Sequence, residues 1–214
     1  MVAEQVHLVR HGEVANPGGV LYARLPGFPL SPAGHVMAKA AADELVARGR
    51  PVGRIVSSPL ERAVESAEPV SEAFGVAVDL DLQLIEAASR LEGGTFRMDL
   101  SILRRVDAWR YLVNPVRPSW GEPFAEVAAR MMGAVGRIAE ETEHGDAVIV
   151  SHQLPIWMVH RVVTRRRLFH DPRKRRCALS SITTIEQRDG VWHEVGYWAP
   201  SPDLAAGTVD VGAV

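Results

Sequence analysis

Arg10 and His11 close an apolar run, Val6–Val9, and are followed by Gly12 and Glu13. A second histidine, His152, closes another apolar run, Val148-Ile149-Val150-Ser151. Between them lies Ser57-Ser58-Pro59-Leu60-Glu61-Arg62-Ala63, with Arg62 just inside an expected helix. A guanidinium offers a planar fork of donors that fits phosphate. A neutral imidazole can attack phosphorus and carry the phosphoryl group covalently. A second imidazole can donate to a phosphoryl oxygen as charge builds there. Glu86 ends the apolar stretch Leu84-Ile85-Glu86, where partial desolvation would favour the protonated acid. Such an acid can protonate a leaving oxygen. The combined chemistry is phosphoryl transfer.

Each segment alone has a plainer reading. Arg-His-Gly also fits a chance strand end with a surface histidine. Arg62 also fits an exposed cation paired to Glu61 or Glu65, and His152 a cap on the next helix. Glu13, Glu61 and Glu92 compete with Glu86 on composition. Gly12 is read as the residue that lets the backbone turn sharply and approach a ligand.

Strand-like and helix-like segments alternate, which predicts an α/β layered fold. Residues 5–9 read as the first strand and 54–57 as the second, with a short β-branched strand at 76–80. Ser31-Pro32 opens a helix to about Arg48, closed by Gly49. Ser58-Pro59 repeats that helix-start chemistry, with a stop at Gly75. Phe124, Val127, Ala128, Met131, Val135 and Ile138 recur at helical spacing within 123–142. Residues 147–150 read as a buried strand, and Leu154-Pro155 begins another helix. Residues 179–186 and 191–197 form a hairpin about Asp189-Gly190. Parallel strands ending side by side would bring His11 and His152 to one sheet edge, where open α/β sheets bind ligands.

Length and composition bound the remainder. The 214 residues suit one domain, with 47% hydrophobic and 23% charged residues and a net charge of −2. We expect a single catalytic domain over 1–198 and a loosely ordered tail over 199–214. An insertion over one side of the site is expected at about 87–120, with a short helix near 100–112. The charge argues against an electrostatic nucleic-acid binder. No apolar run reaches a membrane span of about 20 residues, and no leader pattern opens the chain. A cytoplasmic location is expected. The lone cysteine, Cys177, allows no intramolecular disulfide and reads as a buried thiol. No His/Cys/Asp cluster has metal-ligand spacing, so neither metal nor cofactor is expected.

The four segments, in this order, resemble the histidine phosphatase superfamily, which also holds the cofactor-dependent phosphoglycerate mutases. The resemblance covers roughly 5–197. It includes Arg10-His11-Gly12-Glu13, the stretch Gly27-Phe28-Pro29-Leu30-Ser31-Pro32-Ala33-Gly34, the Ser57–Ala63 motif and Val150-Ser151-His152. It implies a three-layer α/β/α sandwich with a mostly parallel central sheet, phosphoglycerate mutase-like. It implies His11 as the phosphorylated nucleophile and Arg10, Arg62 and His152 as the phosphate pocket. It points to Glu86 as proton donor. Many relatives carry Asn seven residues after the signature arginine; here Asn16 comes six after, followed by Pro17. Gly often follows the last histidine; here Gln153 does. Asn16 and Gln153 are carried as candidate substrate contacts.

The expected function is metal-independent hydrolysis of a small phosphomonoester through a phosphohistidine on His11. Arginines beside His11 would disfavour its protonation. The alternatives are a phosphoglycerate mutase-type transferase, whose relatives tend to carry a larger insertion, and a phosphate-binding regulatory module. No nucleic-acid or membrane partner is expected, and homo-oligomerisation is left open. Specificity is expected from residues 16–25 and 87–120, with Tyr22, Arg24, Phe96, Arg97, Trp109 and Trp120 as candidate contacts. Residues 161–176 hold eight of the chain's 24 basic side chains and one acid, Asp171. They read as a solvated basic face or as a patch steering a polyanionic substrate.

Overall fold

The structure is a computed structural model that describes residues 3–94, 121–200 and 202–205. The short helix expected near 100–112, most of the expected insertion, and Phe96, Arg97, Trp109 and Trp120 lie outside the described residues. So does most of the expected tail.

One mixed sheet organises the described chain. Its strands are β1 (Gln5–Arg10), β2 (Val52–Ser57), β3 (Val78–Leu80), β4 (Asp146–Ser151), β5 (Ile182–Arg188) and β6 (Val191–Trp198). The spatial order is β3-β2-β4-β1-β5-β6. The pairs β3–β2, β2–β4 and β4–β1 are parallel, while β5 runs antiparallel to both β1 and β6.

Both faces of the sheet are covered, which explains the near-continuous apolar runs of its central strands. Ala147 and Ile149 of β4 face one way, with Val6 and Leu8 of β1. They pack on α3 (Phe124–Glu141) and α4 (Gln153–Val163). Val148 and Val150 face the other way, onto α1 (Pro32–Ala47) and α2 (Glu61–Phe74). The expected three-layer α/β/α architecture is therefore present. Among the described residues no helix is long and apolar enough to cross a membrane.

The helix-start signals had different fates. Ser31 caps α1, its side chain accepting from the Gly34 N–H at 3.0 Å, with Pro32 in the first turn. Ser58 does not cap α2. That helix begins at Glu61, and its N-cap, Leu60, makes no side-chain cap bond. The hairpin turn is as read: Asp189 and Gly190 have φ of 50° and 74°, the left-handed pair that matches strand twist.

Candidate active site

Register places the site. Arg10 of β1 lies opposite Ser151 of β4, and Ser57 of β2 opposite Val150. The residues that follow, His11, Ser58 and His152, therefore emerge together from one sheet edge. The His11 N–H donates to the Ser151 carbonyl at 3.1 Å, and the two imidazole centroids lie 5.2 Å apart. Arg62, in the first turn of α2, reaches the same place. Arg10, His11, Arg62, Glu86 and His152 are all 3% exposed or less. The surface readings of His11 and Arg62 are thereby excluded.

Gly12 meets a packing requirement that the sequence reading did not include. A Cβ there would lie 2.4 Å from the Gly34 carbonyl oxygen in the first turn of α1. The missing side chain lets two backbone segments pack. The Gly12 N–H donates to Ser66 Oγ at 3.1 Å, and that hydroxyl donates to the Arg62 carbonyl at 2.6 Å. The His11-Gly12 loop is thus tied to the helix that carries Arg62.

His11 Nδ1 lies 2.8 Å from the Gly12 carbonyl, which can only accept. In neutral His11 the proton is therefore on Nδ1, and Nε2 bears the lone pair. Arg10 donates through Nη1 to the Cys177 carbonyl at 2.7 Å, and Cys177 is buried as expected. Arg62 donates through Nη2 to the Ala23 carbonyl at 2.6 Å and lies 4.7 Å from the Tyr22 ring centre. Arg62 Nε and His152 Nδ1 are buried without a hydrogen-bond partner among the described residues. Buried polar atoms left unsatisfied require an explanation, and a bound oxyanion supplies one. Burial, then the charges of Arg62, His11 and Arg10, holds the His152 imidazole well below its ordinary range. His152 is at the N-cap of α4 but makes no side-chain cap bond; its Nε2 lies 2.7 Å from Ser58 Oγ.

Of the four competing carboxyls, Glu86 is the one buried among these cations. Burial raises it above the ordinary carboxylate range, against the Ala87 N–H and the charges of Arg62, Arg175 and Arg10. Glu13 accepts from the Ser31 hydroxyl, Glu92 accepts from the Arg24 N–H, and Glu61 is exposed. Arg24 is a structural clamp: Nε donates to the Glu86 carbonyl at 2.6 Å and Nη2 pairs with Glu122 at 2.7 Å. The Asn16 side chain closes its own loop, donating to the Val20 carbonyl and accepting from the Val20 N–H. Gln153 accepts from Arg175 through Oε1 at 3.2 Å. Tyr22 is buried against Phe28, its ring 6.5 Å from that of His11. Ser58, Ser66 and Arg175 were not singled out from sequence as site residues, and Arg24, a candidate substrate contact, holds the Glu86 backbone. Only Ser58 lay inside a motif that could have drawn attention to it.

A family model described as the histidine phosphatase superfamily, branch 1, matches residues 6–199. The uncharacterized protein Rv0525 of Mycobacterium tuberculosis is 46% identical over 181 residues, covering 85% of this chain and 89% of that protein. The probable phosphoglycerate mutase GpmB of Salmonella typhi is 27% identical over 205 residues, covering 90% and 89%. Among solved structures, mycobacterial glucosyl-3-phosphoglycerate phosphatase Rv2419c in complex with VO3 superposes with a TM-score of 0.73. It is 25% identical, covering 93% of this chain and 100% of that one.

Proposed function

This chain belongs to the histidine phosphatase superfamily, and from that premise we propose that it is a metal-independent phosphomonoester hydrolase with a phosphohistidine intermediate on His11. Family and neighbours support an enzyme of the phosphatase or mutase kind. The observation that carries the finer reading is the Nδ1–H···Gly12 bond, which leaves Nε2 of His11 as the nucleophilic atom in a pocket of buried cations.

Two steps follow. Nε2 of His11 attacks phosphorus in line, the bond to the leaving oxygen breaks, and Glu86 gives that oxygen its proton. Glu86, now a carboxylate, takes a proton from water. The water oxygen attacks phosphorus, the P–N bond breaks, and its electron pair returns to Nε2. Arg10, Arg62 and His152 hold the non-bridging oxygens throughout. Phosphoryl transfer rests on positioning and charge stabilisation, which two guanidiniums and an imidazole N–H supply. The likeness to a mutase favours one alternative, transfer to a second hydroxyl in place of water.

The test is hydrolysis of 4-nitrophenyl phosphate with chelator present, comparing wild type with His11→Ala. Turnover that survives chelator and is lost in the variant, with acid-labile phosphate trapped on the wild type alone, is expected. Undiminished turnover by His11→Ala would overturn the nucleophile assignment. Phosphate recovered on an added alcohol rather than in water would favour the mutase.

A further inference from the structure

Ser58 opens the helix-start sequence Ser58-Pro59 yet does not cap α2, and its hydroxyl is fully buried. Its backbone is pinned by the N–H bond to the Val150 carbonyl at 2.9 Å. Its Oγ has two neighbours among the described residues: the Leu60 N–H at 3.4 Å and His152 Nε2 at 2.7 Å. The first is a donor, so it cannot take the hydroxyl proton. The second is the acceptor that remains.

We propose that Ser58 is a positioning residue that donates to His152 Nε2 and thereby fixes His152 with its proton on Nδ1. A neutral imidazole carries one N–H, and the partner of one nitrogen decides the state of the other. With Nε2 accepting, Nδ1 becomes the donor. Nδ1 is the buried ring atom with no partner among the described residues. The opposite tautomer would turn a lone pair toward a phosphoryl oxygen and remove one of the groups that stabilise its charge.

The environment makes the assignment consequential. Burial and the neighbouring cations keep His152 neutral, so donation cannot be secured by protonating both nitrogens. A tautomer lock reaches the same end without adding charge to a site that already holds Arg10 and Arg62. The inference rests on the phosphatase reading for its catalytic consequence, but the tautomer itself does not.

The experiment is ¹⁵N–¹H correlation of ¹⁵N-histidine-labelled protein, with His152 assigned by its loss in His152→Gln. The spectrum should show His152 protonated on Nδ1 in wild type and Ser58→Thr, and a shift toward protonated Nε2 in Ser58→Ala. In parallel, orthovanadate affinity and kcat on 4-nitrophenyl phosphate should fall in Ser58→Ala by about 10-fold or more, part of the roughly 10²–10³-fold cost of deleting an oxyanion donor outright. KM should change less, and Ser58→Thr should restore most of the loss. A wild-type His152 protonated on Nε2 overturns the proposal, whether or not Ser58→Ala folds. So does a Ser58→Ala protein that keeps both its tautomer and its kcat. Absence of turnover in the wild type with Nδ1 protonated would instead count against the phosphatase reading alone.

Discussion

Glu86 shows how one side chain's surroundings set its chemistry. Its burial outweighs the Ala87 N–H and the positive charges facing it, so it stays protonated to higher pH than an exposed carboxyl. A proton donor matters in proportion to how poorly the leaving oxygen departs unaided. Glu86→Gln should therefore lower kcat/KM for alkyl phosphates by about 10²–10⁴-fold, the usual span for a positioned acid, and affect 4-nitrophenyl phosphate far less. The pH profile carries the same information. Wild-type activity on alkyl phosphates should decline as pH rises through the elevated Glu86 pKa, and Glu86→Gln should lose that alkaline limb. Equal losses for good and poor leaving groups would remove Glu86 from the acid role. The Arg24 bond to the Glu86 carbonyl holds the backbone that carries this carboxyl.

At the scale of elements, the parallel strands divide their labour between their two ends. Their carboxyl ends present Arg10, His11, Ser58 and His152, while the opposite end of β4 carries Asp146 in a fixed ionic network. Asp146 accepts from the Gln5 N–H at 3.1 Å, and from Arg50 through Nε and Nη2 at 2.6 and 2.8 Å. It also accepts from His7 Nε2 at 3.1 Å, while His7 Nδ1 meets Thr184 Oγ1 at 3.0 Å. Despite burial, the Arg50 and His7 bonds hold Asp146 at about 2, while burial keeps His7 below its ordinary value. Both act in one direction. As pH falls through 6.5 the unfolded chain protonates His7 before the folded chain does. Below about 3.8 it likewise binds the Asp146 proton first, so stability rises with pH through both windows. Asp146→Ala should cost about 2–4 kcal/mol, somewhat below the roughly 3–5 for breaking a fully buried pair because Arg50 is partly solvated. Urea denaturation measures this, and the acid-dependent loss should shrink in the variant. An unchanged midpoint would show the network to be dispensable. The strand runs, the Ser31 cap and the Asp189-Gly190 turn were legible because their causes are local: burial on both faces, a side chain three residues from its N–H, a left-handed φ. Arg10, His11, Arg62 and His152 were legible for the same reason, each standing at a strand end or a helix start. Ser58's partner is 94 residues away and Arg24's is 62. No local pattern records such contacts. Gly12's true neighbour, Gly34, was hidden likewise.

Across the whole molecule, charge is distributed unevenly. The chain carries −2, yet residues 161–176 set eight cations against Asp171 alone and stand at +7. Their path gives the imbalance a direction. After α4 ends at Val163 the chain turns back along that helix. The His170 ring meets Trp157 and Phe124 at centroid distances of 5.9 and 5.2 Å. Arg175 then donates to His170 Nε2 at 2.9 Å and to Gln153 Oε1 at 3.2 Å, at the first residue of α4. Eleven helical residues span about 16 Å, so the basic segment traces that distance and returns beside His152. Arg165, Arg166, Arg167, Arg173 and Lys174 are exposed along it. Arg173 pairs with Asp171, and Arg176 with Glu194. Arg165, Arg166, Arg167 and Lys174 make no ion pair among the described residues. Such a field raises the encounter rate of a highly charged ligand and is screened within about 8 Å at physiological ionic strength. For a polyanionic ester such as inositol hexakisphosphate, kcat/KM should fall by about 10-fold or more between low and high salt. That for 4-nitrophenyl phosphate should change little. Arg166→Glu with Lys174→Glu should flatten the salt dependence of the polyanion without altering turnover of the small ester. Parallel salt curves for the two substrates in wild type would reduce the segment to a solvated face.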